Sequence, residues 1–417
     1  MKSAAIAFDT RLDTPWWGKR QQQMIAKVLA PLANAKTGVL SLTLPNGNSI
    51  TFGDTPHARL NPHVRLHNWK AVRKAFTGGS LGWSEAYMDG DWDCDNLAAL
   101  IEWVVINESH VGGTLDSGRL NQWVQAWRHR RNANSKRGSR RNIAYHYDLG
   151  NEFYEQWLDP SMTYSSAYFK EGSSSADLTE GQYAKYQRLI DLLGVTDGDS
   201  VLEIGCGWGG FAEQLLRQKN VALHGITLST EQLNYARERL QKQGLDRNAE
   251  FSLTDYRDTV GHYDHIVSIE MLEAVGEQYW PTYFDTLYQR LKPGGKAAIQ
   301  IITIDESRFE QYRSNPDFIQ TYIFPGGMLP SPERVEQHAT KANLKMVDQK
   351  AFGTCYADTL AQWDRAFSAN WPAIEPLGFD ERFKRMWHYY LAYCEGGFRA
   401  GSIDVYQFVL EKPASTA

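Results

Sequence analysis

The chain has 417 residues, 42% hydrophobic and 22% charged, with a net charge of −5 and 14 Trp, 21 Tyr and 17 Phe; this excludes a disordered chain and predicts two globular domains. No run approaches the roughly 20 apolar residues that cross a bilayer, and the N-terminus lacks a charged-then-apolar signal pattern, which predicts a cytoplasmic protein. Cys94, Cys206, Cys355 and Cys394 stand without CxxC spacing, which argues against a zinc site or a disulfide framework and predicts free thiols and no bound metal.

Residues 21–29 predict a first helix, ended by Pro31. Residues 38–52 then alternate apolar and polar side chains around Asn46-Gly47, the pattern of a β-hairpin. Residues 68–76 and 97–106 predict amphipathic helices, separated by a turn at Gly78-Gly-Ser-Leu-Gly82 and an acidic-aromatic stretch at 87–93. An α+β domain over 1–115 is expected, followed over 116–142 by a Trp-rich helix at 121–129 and a basic linker. Residues 128–141 hold seven Lys or Arg, either a solvated linker or a cationic patch for an anionic partner.

From Ser200 the texture becomes β-rich runs alternating with helices: strands at 201–204, 222–226, 249–253 and 265–269, with helices opening at Gly210 and Glu231. That spacing predicts βαβ units, a mostly parallel doubly wound sheet, and an α/β catalytic domain over 143–417.

Val201-Leu-Glu-Ile-Gly-Cys-Gly-Trp-Gly-Gly210 is a strand running into a glycine turn that opens a helix. Gly205, Gly207 and Gly209 let the backbone approach a ligand and adopt positive φ. Their GxGxG spacing resembles the signature with which class I methyltransferases hold S-adenosylmethionine, in a Rossmann-like fold; dinucleotide binding is the alternative. Glu203 in the strand, Thr227 and Gln232 after the second strand, and Asp255, Tyr256 and Arg257 after the third are the expected cofactor contacts. Thr227 and Gln232 depart from the carboxylate common at that strand end, and a helix N-cap is the alternative role for Asp255.

His146 to Tyr154, Leu158 to Phe169, Val201 to Gly210, Asp255 to Asp258, Tyr322 to Gly327, Phe352-Gly353 and Phe383 to Met386 together resemble the cyclopropane-fatty-acyl-phospholipid synthases and mycolic acid cyclopropane synthases. The likeness covers about residues 140–410. It implies methyl transfer from S-adenosylmethionine to the double bond of an unsaturated phospholipid acyl chain, giving a cyclopropane, and it puts Tyr164 and Ser165 on the cofactor side.

An alkene attacking a sulfonium methyl leaves a carbocation, so the site must exclude water, stabilise positive charge and accept a proton. Tyr164, Tyr168, Phe169, Tyr279, Tyr283, Tyr322, Phe324, Phe352 and Tyr356 are candidate aromatic faces, each equally readable as core. In the family the proton acceptor is a bound bicarbonate, and the positions that hold it match Ser166, Glu273, Gln300 with Ile302, and Tyr356. Ser166 stands for the usual Cys, Gln300 for the usual His, and Ala274 follows Glu273 where His is usual. The glutamine cannot titrate near neutral pH, which leaves bicarbonate open and admits a methyl- or methylene-branched product or a furan-fatty-acid precursor. Glu273 is the main catalytic candidate; a surface helix position beside Glu270 is its other reading. Cys394 matches a cysteine once regarded as catalytic and is read as pocket lining.

The expected partners are unsaturated phospholipid and an anionic membrane surface touched from the cytoplasmic side, with a homodimer possible by analogy and no nucleic acid. The Asn-Pro-Pro-Tyr-like motif of amino-directed base methyltransferases is replaced here by Ser268 to Gly276. Nucleic-acid methylation and non-catalytic lipid binding are the rival classes.

Overall fold

The computed structural model describes residues 25, 27–55, 57–111, 149–170 and 177–414. Residues 128–141, the expected 121–129 helix and His146 to Asp148 lie outside them. Contacts divide the chain into two compact units, Met1–Gln122 and Trp123–Ala417.

In the first unit, β1 (Gly38–Thr43) and β2 (Ser49–Thr55) form the expected antiparallel hairpin. They extend into a four-stranded sheet of order β2-β1-β3-β4, with β3 at His63–Leu66 and β4 at Trp92–Cys94. The α-helix ends at Leu29, ahead of Pro31 as expected, and the chain passes into a 3-10 turn over Ala30–Asn34 that carries the proline in its first residues, where a missing N–H costs nothing. The glycine stretch expected as a turn lies inside a helix, α1 (Lys70–Met88), kinked at Gly79 with φ 61° and ψ −141°. Gly82 lets the two halves meet there, since a Cβ would fall 2.0 Å from the Lys74 carbonyl oxygen. Helix α2 (Leu97–Val111) buries Asn107, whose amide accepts from Lys36 and Thr37 N–H and donates to the Thr37 carbonyl at 2.8 Å.

The second unit is a seven-stranded sheet of order β10-β11-β9-β8-β5-β6-β7. Strands β5 (Ser200–Ile204), β6 (Ala222–Thr227), β7 (Ala249–Leu253), β8 (Tyr263–Ile269) and β9 (Leu291–Ile304) run parallel. β10 (Lys345–Ala351) and β11 (Ile403–Glu411) complete it antiparallel. This is the class I methyltransferase fold expected from the sequence. Alternation along β5 explains the layering: Val201 packs with Leu189, Phe211 and Leu233 on one face, and Leu202 and Ile204 with Trp280, Phe284 and Leu287 on the other.

Six helices position the site. α3 (Asn151–Glu155) precedes the 158–169 segment, and α4 (Leu178–Leu193) starts on Asp177, whose carboxylate caps Thr179 N–H at 2.7 Å. α5 (Gly210–Leu216) and α6 (Thr230–Gln243) follow β5 and β6. α7 (Gly353–Ala369) and α8 (Glu381–Arg399) bring Tyr356, Trp363, Tyr390 and Phe398. Among the described residues no helix is long and apolar enough to cross a membrane.

Candidate active site

At the carboxyl end of β5, Gly205, Gly207 and Gly209 adopt φ of 82°, 51° and 80°, which side chains resist. The turn is held by Gly205 N–H and Cys206 N–H donating to the Ile226 carbonyl at 2.9 and 3.0 Å. A Cβ on Gly209 would press on Ala236 at 3.1 Å, whereas nothing lies within 4 Å of one on Gly207. Gly209 therefore serves packing, and Gly207 leaves open space at the turn.

Glu203 is buried with its Oε2 unpartnered, and burial pushes its carboxyl well up, opposed by Arg239. A buried polar atom without a partner is costly, and it lies where a cofactor is expected. The Thr227 hydroxyl donates to Gln232 Oε1 at 2.9 Å and accepts from Ser229 N–H at 3.1 Å, bracing the start of α6. Asp255 is the N-cap of a 3-10 turn, accepting from Arg257 N–H at 3.0 Å, and also takes the Arg257 guanidinium through both carboxylate oxygens. The cap and the ion pair thus occupy the carboxylate expected to address adenine. The Tyr256 hydroxyl is buried without a partner, and the Arg257 guanidinium stacks over Tyr279 at 5.1 Å.

At the carboxyl end of β8, Glu270 takes a left-handed backbone conformation with φ 51°, costing about 1–2 kcal/mol for a side-chain-bearing residue. Its Oε1 accepts from Ser166 N–H at 2.8 Å and from Gln300 Nε2 at 2.8 Å, and its Oε2 accepts from the Tyr356 hydroxyl at 2.6 Å. Ser166 contributes its main chain; its own hydroxyl donates to the Ala167 carbonyl at 2.9 Å. Tyr356 reaches the site from the first turn of α7, whose Gly353 is required because a Cβ would sit 2.5 Å from Asp404 Oδ1.

Gln300 is oriented by a chain behind it: its Oε1 accepts from Gln407 Nε2 at 3.0 Å, and Gln407 Oε1 accepts from Arg188 Nη1 at 2.6 Å. Arg188 also donates to Asp348 at 3.2 Å. With its amide oxygen so engaged, Gln300 presents a donor, and never an acceptor, to Glu270.

Burial pushes the Glu270 carboxyl up while the Tyr356, Ser166 and Gln300 donors and the Lys185 charge oppose it. Glu273 lies close by. Its Oε1 accepts from Ile302 N–H, its Oε2 is buried without a partner, and burial with repulsion from Glu270 pushes its carboxyl up to about 8. Glu273 and Ile302 thus pair with each other, while Ser166, Gln300 and Tyr356 converge on Glu270. The segment after β8 is a 3-10 turn, Leu272–Ala274, so Glu273 is on no surface helix.

Two site residues escaped the sequence reading. Glu270 was noticed only as a neighbour of Glu273, although the carboxyl end of a parallel strand is where ligands gather. Lys185 is fully buried on α4 and donates to Ser165 Oγ at 2.5 Å and Gln182 Oε1 at 2.7 Å; burial drags its ammonium down to about 7, against the pull of Glu270 and Asp159. The signal for it was its place on the apolar helix stripe with Leu189 and Gln182.

Aromatic rings wall the region around Tyr356. Tyr356 stacks on Phe398 at 4.6 Å and meets Trp363 edge-on at 6.1 Å. Tyr164 lies 5.4 Å from Trp363 and hydrogen-bonds Tyr390 through the two hydroxyls at 2.7 Å, and Phe324 meets Tyr390 at 6.2 Å. Among the other candidate faces, Tyr168 pairs with Phe352, Tyr283 with Tyr256, and Tyr322 with Phe318. Cys394, on α8, has its thiol pushed well up by burial and by Asp317. Held protonated, it is a poor nucleophile. All four cysteines are unpaired.

The chain is similar to known proteins in sequence and in fold. Residues 134–408 match the family model described as mycolic acid cyclopropane synthetase. The chain is 38% identical to the tuberculostearic acid methyltransferase of Mycobacterium tuberculosis over 84% of this chain and 83% of that protein. It is 36% identical to the cyclopropane-fatty-acyl-phospholipid synthase of Escherichia coli over 84% of this chain and 87% of that one. A mycolic acid cyclopropane synthase crystallised with SAH and CTAB superposes with a TM-score of 0.61 at 30% identity, covering 66% of this chain and 98% of that one. The chain belongs to the mycolic acid cyclopropane synthetase family and is an S-adenosylmethionine-dependent methyltransferase.

Proposed function

We propose that this protein transfers the methyl group of S-adenosylmethionine to the double bond of an unsaturated acyl chain carried on a phospholipid. One observation carries the reading: a carboxylate held by three donors lies among aromatic faces, beside a glycine turn that leaves room for a cofactor. Such a site suits a cationic intermediate. Aromatic faces stabilise positive charge by about 0.5–2 kcal/mol each when water is excluded, and a fixed anion can take the proton the cation must lose.

The cofactor suits its proposed seat. Gly205, Gly207 and Gly209 would admit its methionine end, and Glu203, with an unpartnered buried oxygen, offers an acceptor for its ammonium group. Thr227, Gln232, Asp255, Tyr256 and Arg257 would border the ribose and adenine, and Tyr164 and Ser165 the side facing the acceptor. Bound there, the cofactor supplies an electrophilic methyl on a positively charged sulfur.

The first reading of the product is a cyclopropane, the product named in the Escherichia coli relative. A methyl- or methylene-branched chain is the second. It is favoured by the departures at Ser166, Gln300 and Ala274 from the cyclopropane synthase pattern and by the likeness to the tuberculostearic acid methyltransferase. The basic tract at 128–141 would bring the protein to an anionic membrane from its cytoplasmic side, and a homodimer is the proposed assembly.

The reading is tested with purified protein, methyl-labelled S-adenosylmethionine and vesicles that differ only in having monounsaturated or fully saturated phospholipid. Label in the acyl chains of the unsaturated vesicles alone is expected. Label in both, or in headgroups, contradicts it.

A further inference from the structure

The family resemblance implies a bicarbonate as proton acceptor, and the residues present decide whether one fits. The groups available to hold it are Ser166 N–H, the Gln300 amide and the Tyr356 hydroxyl, and all three already bond the Glu270 carboxylate at 2.6–2.8 Å. A carboxylate and a bicarbonate present the same planar pair of acceptor oxygens, so one set of donors holds one or the other. A second anion would also meet the Glu270 carboxylate at close range, which a weakly solvated interior punishes. Bicarbonate does not fit this site.

We propose that Glu270 is the built-in proton acceptor of the methyl transfer, a side-chain carboxylate standing where relatives would bind a free anion. The inference rests on the acyl-chain reading above. Three features of the molecule support it. The residue is held at φ 51°, and backbone strain persists where the surroundings enforce it, commonly at functional sites. Gln300 cannot rotate to offer an oxygen, because Gln407 and Arg188 fix its amide. Burial makes Glu270 a stronger base than a surface carboxylate, while Lys185 and the three donors keep its ionised form accessible.

The step balances as follows. The alkene π pair forms a carbon–carbon bond to the methyl carbon as the carbon–sulfur bond breaks, its electrons going to sulfur, which becomes a neutral thioether. The chain carbon left electron-deficient is neutralised when a C–H bond on the new methyl or on a chain carbon breaks. That proton goes to a Glu270 carboxylate oxygen, and the released pair closes a ring or forms a double bond. Glu270 ends as the neutral acid and returns its proton to solvent before the next turnover.

The test compares wild type, Glu270→Gly and Glu270→Gln in carbon-dioxide-free buffer and with added bicarbonate, measuring methylated lipid, SAH affinity and the binding of carbon-13 bicarbonate by NMR. Wild type is expected to turn over equally with and without bicarbonate and to bind none. Glu270→Gly is expected to lose about 100-fold or more, the usual weight of a general base. Added bicarbonate should restore part of that rate by entering the vacated cage, with SAH affinity unchanged. Glu270→Gln, whose amide fills the cage without accepting a proton, should be equally slow and not rescued. A wild type that stalls without bicarbonate, or a Glu270→Gln variant within about twofold of wild type, overturns the inference and leaves the acyl-chain reading standing. A wild type that methylates no lipid in either buffer overturns both.

Discussion

Gln300 holds Glu270 by both its main chain and its side chain: its carbonyl accepts from Glu270 N–H at 2.8 Å, and its amide Nε2 donates to Glu270 Oε1 at 2.8 Å. The pairing of β8 with β9 therefore sets the carboxylate as well as the backbone that carries it. Of the three donors, Tyr356 alone comes from outside the sheet and the 158–169 segment, so it can be tested with little disturbance to the rest.

Tyr356→Phe removes the 2.6 Å bond to Glu270 and keeps the ring stacked on Phe398. A hydrogen bond to a charged acceptor contributes about 1.5–3 kcal/mol, so kcat should fall roughly tenfold to a hundredfold with SAH affinity unchanged. The lost donor stabilised the ionised form, so Glu270 should titrate higher and the acidic limb of the kcat/KM profile should move to higher pH. Lys185 and Glu273, the other titrating groups facing Glu270, are unaltered. A limb that stays in place contradicts the assignment.

Glu273→Gln should change stability in a pH-dependent way. The folded protein holds the Glu273 carboxyl at about 8 against an ordinary 4.5, so folding takes up a proton. Stability is full below the ordinary value and declines as pH rises towards about 8. The substitution abolishes that decline, so the variant's Tm relative to wild type should rise by several degrees, roughly, from pH 5 to pH 8.5. A difference that does not vary with pH would mean that Glu273 is ionised throughout.

Gly207→Ala isolates the cofactor turn. Nothing lies within 4 Å of the new Cβ, so the fold should survive with about 1 kcal/mol of left-handed strain. The methyl would enter the space proposed for the cofactor. Calorimetry should show SAH binding weakened about tenfold or more, beyond what that strain explains; unchanged affinity places the cofactor elsewhere.

Replacing the Lys and Arg residues of 128–141 with Gln should remove most binding to anionic vesicles, at about 1 kcal/mol per basic residue near the surface. Wild-type binding should fall steeply with added salt as the charges are screened. Salt-independent binding would assign membrane affinity to apolar contacts instead.

The glycine turn, the mostly parallel sheet and the grouping of Ser166, Gln300 and Tyr356 were legible because each depends on a local pattern: a GxGxG after a strand, β-rich runs alternating with helices, short matched motifs. Glu270 was not. Its role arises from a left-handed backbone and from donors 104, 30 and 86 residues away in sequence, which no local window contains. The same limit explains α1, where Gly78 to Gly82 reads as a turn but tertiary packing around Gly82 keeps it helical with a kink at Gly79. Asp255 was ambiguous for a related reason: one carboxylate suits a cap or a ligand contact, and the partner that occupies it, Arg257, lies two residues on.

The most direct measurement is mass spectrometry of the phospholipid acyl chains made by cells expressing this protein and fed a trideuteromethyl donor, with and without mild hydrogenation. Monounsaturated chains that gain one labelled carbon are predicted. A chain that keeps two deuteriums and resists hydrogenation is the cyclopropane, and one that takes up hydrogen is the branched alkene. Labelled carbon absent from the acyl chains, or found in chains that never held a double bond, would contradict methyl transfer to an alkene.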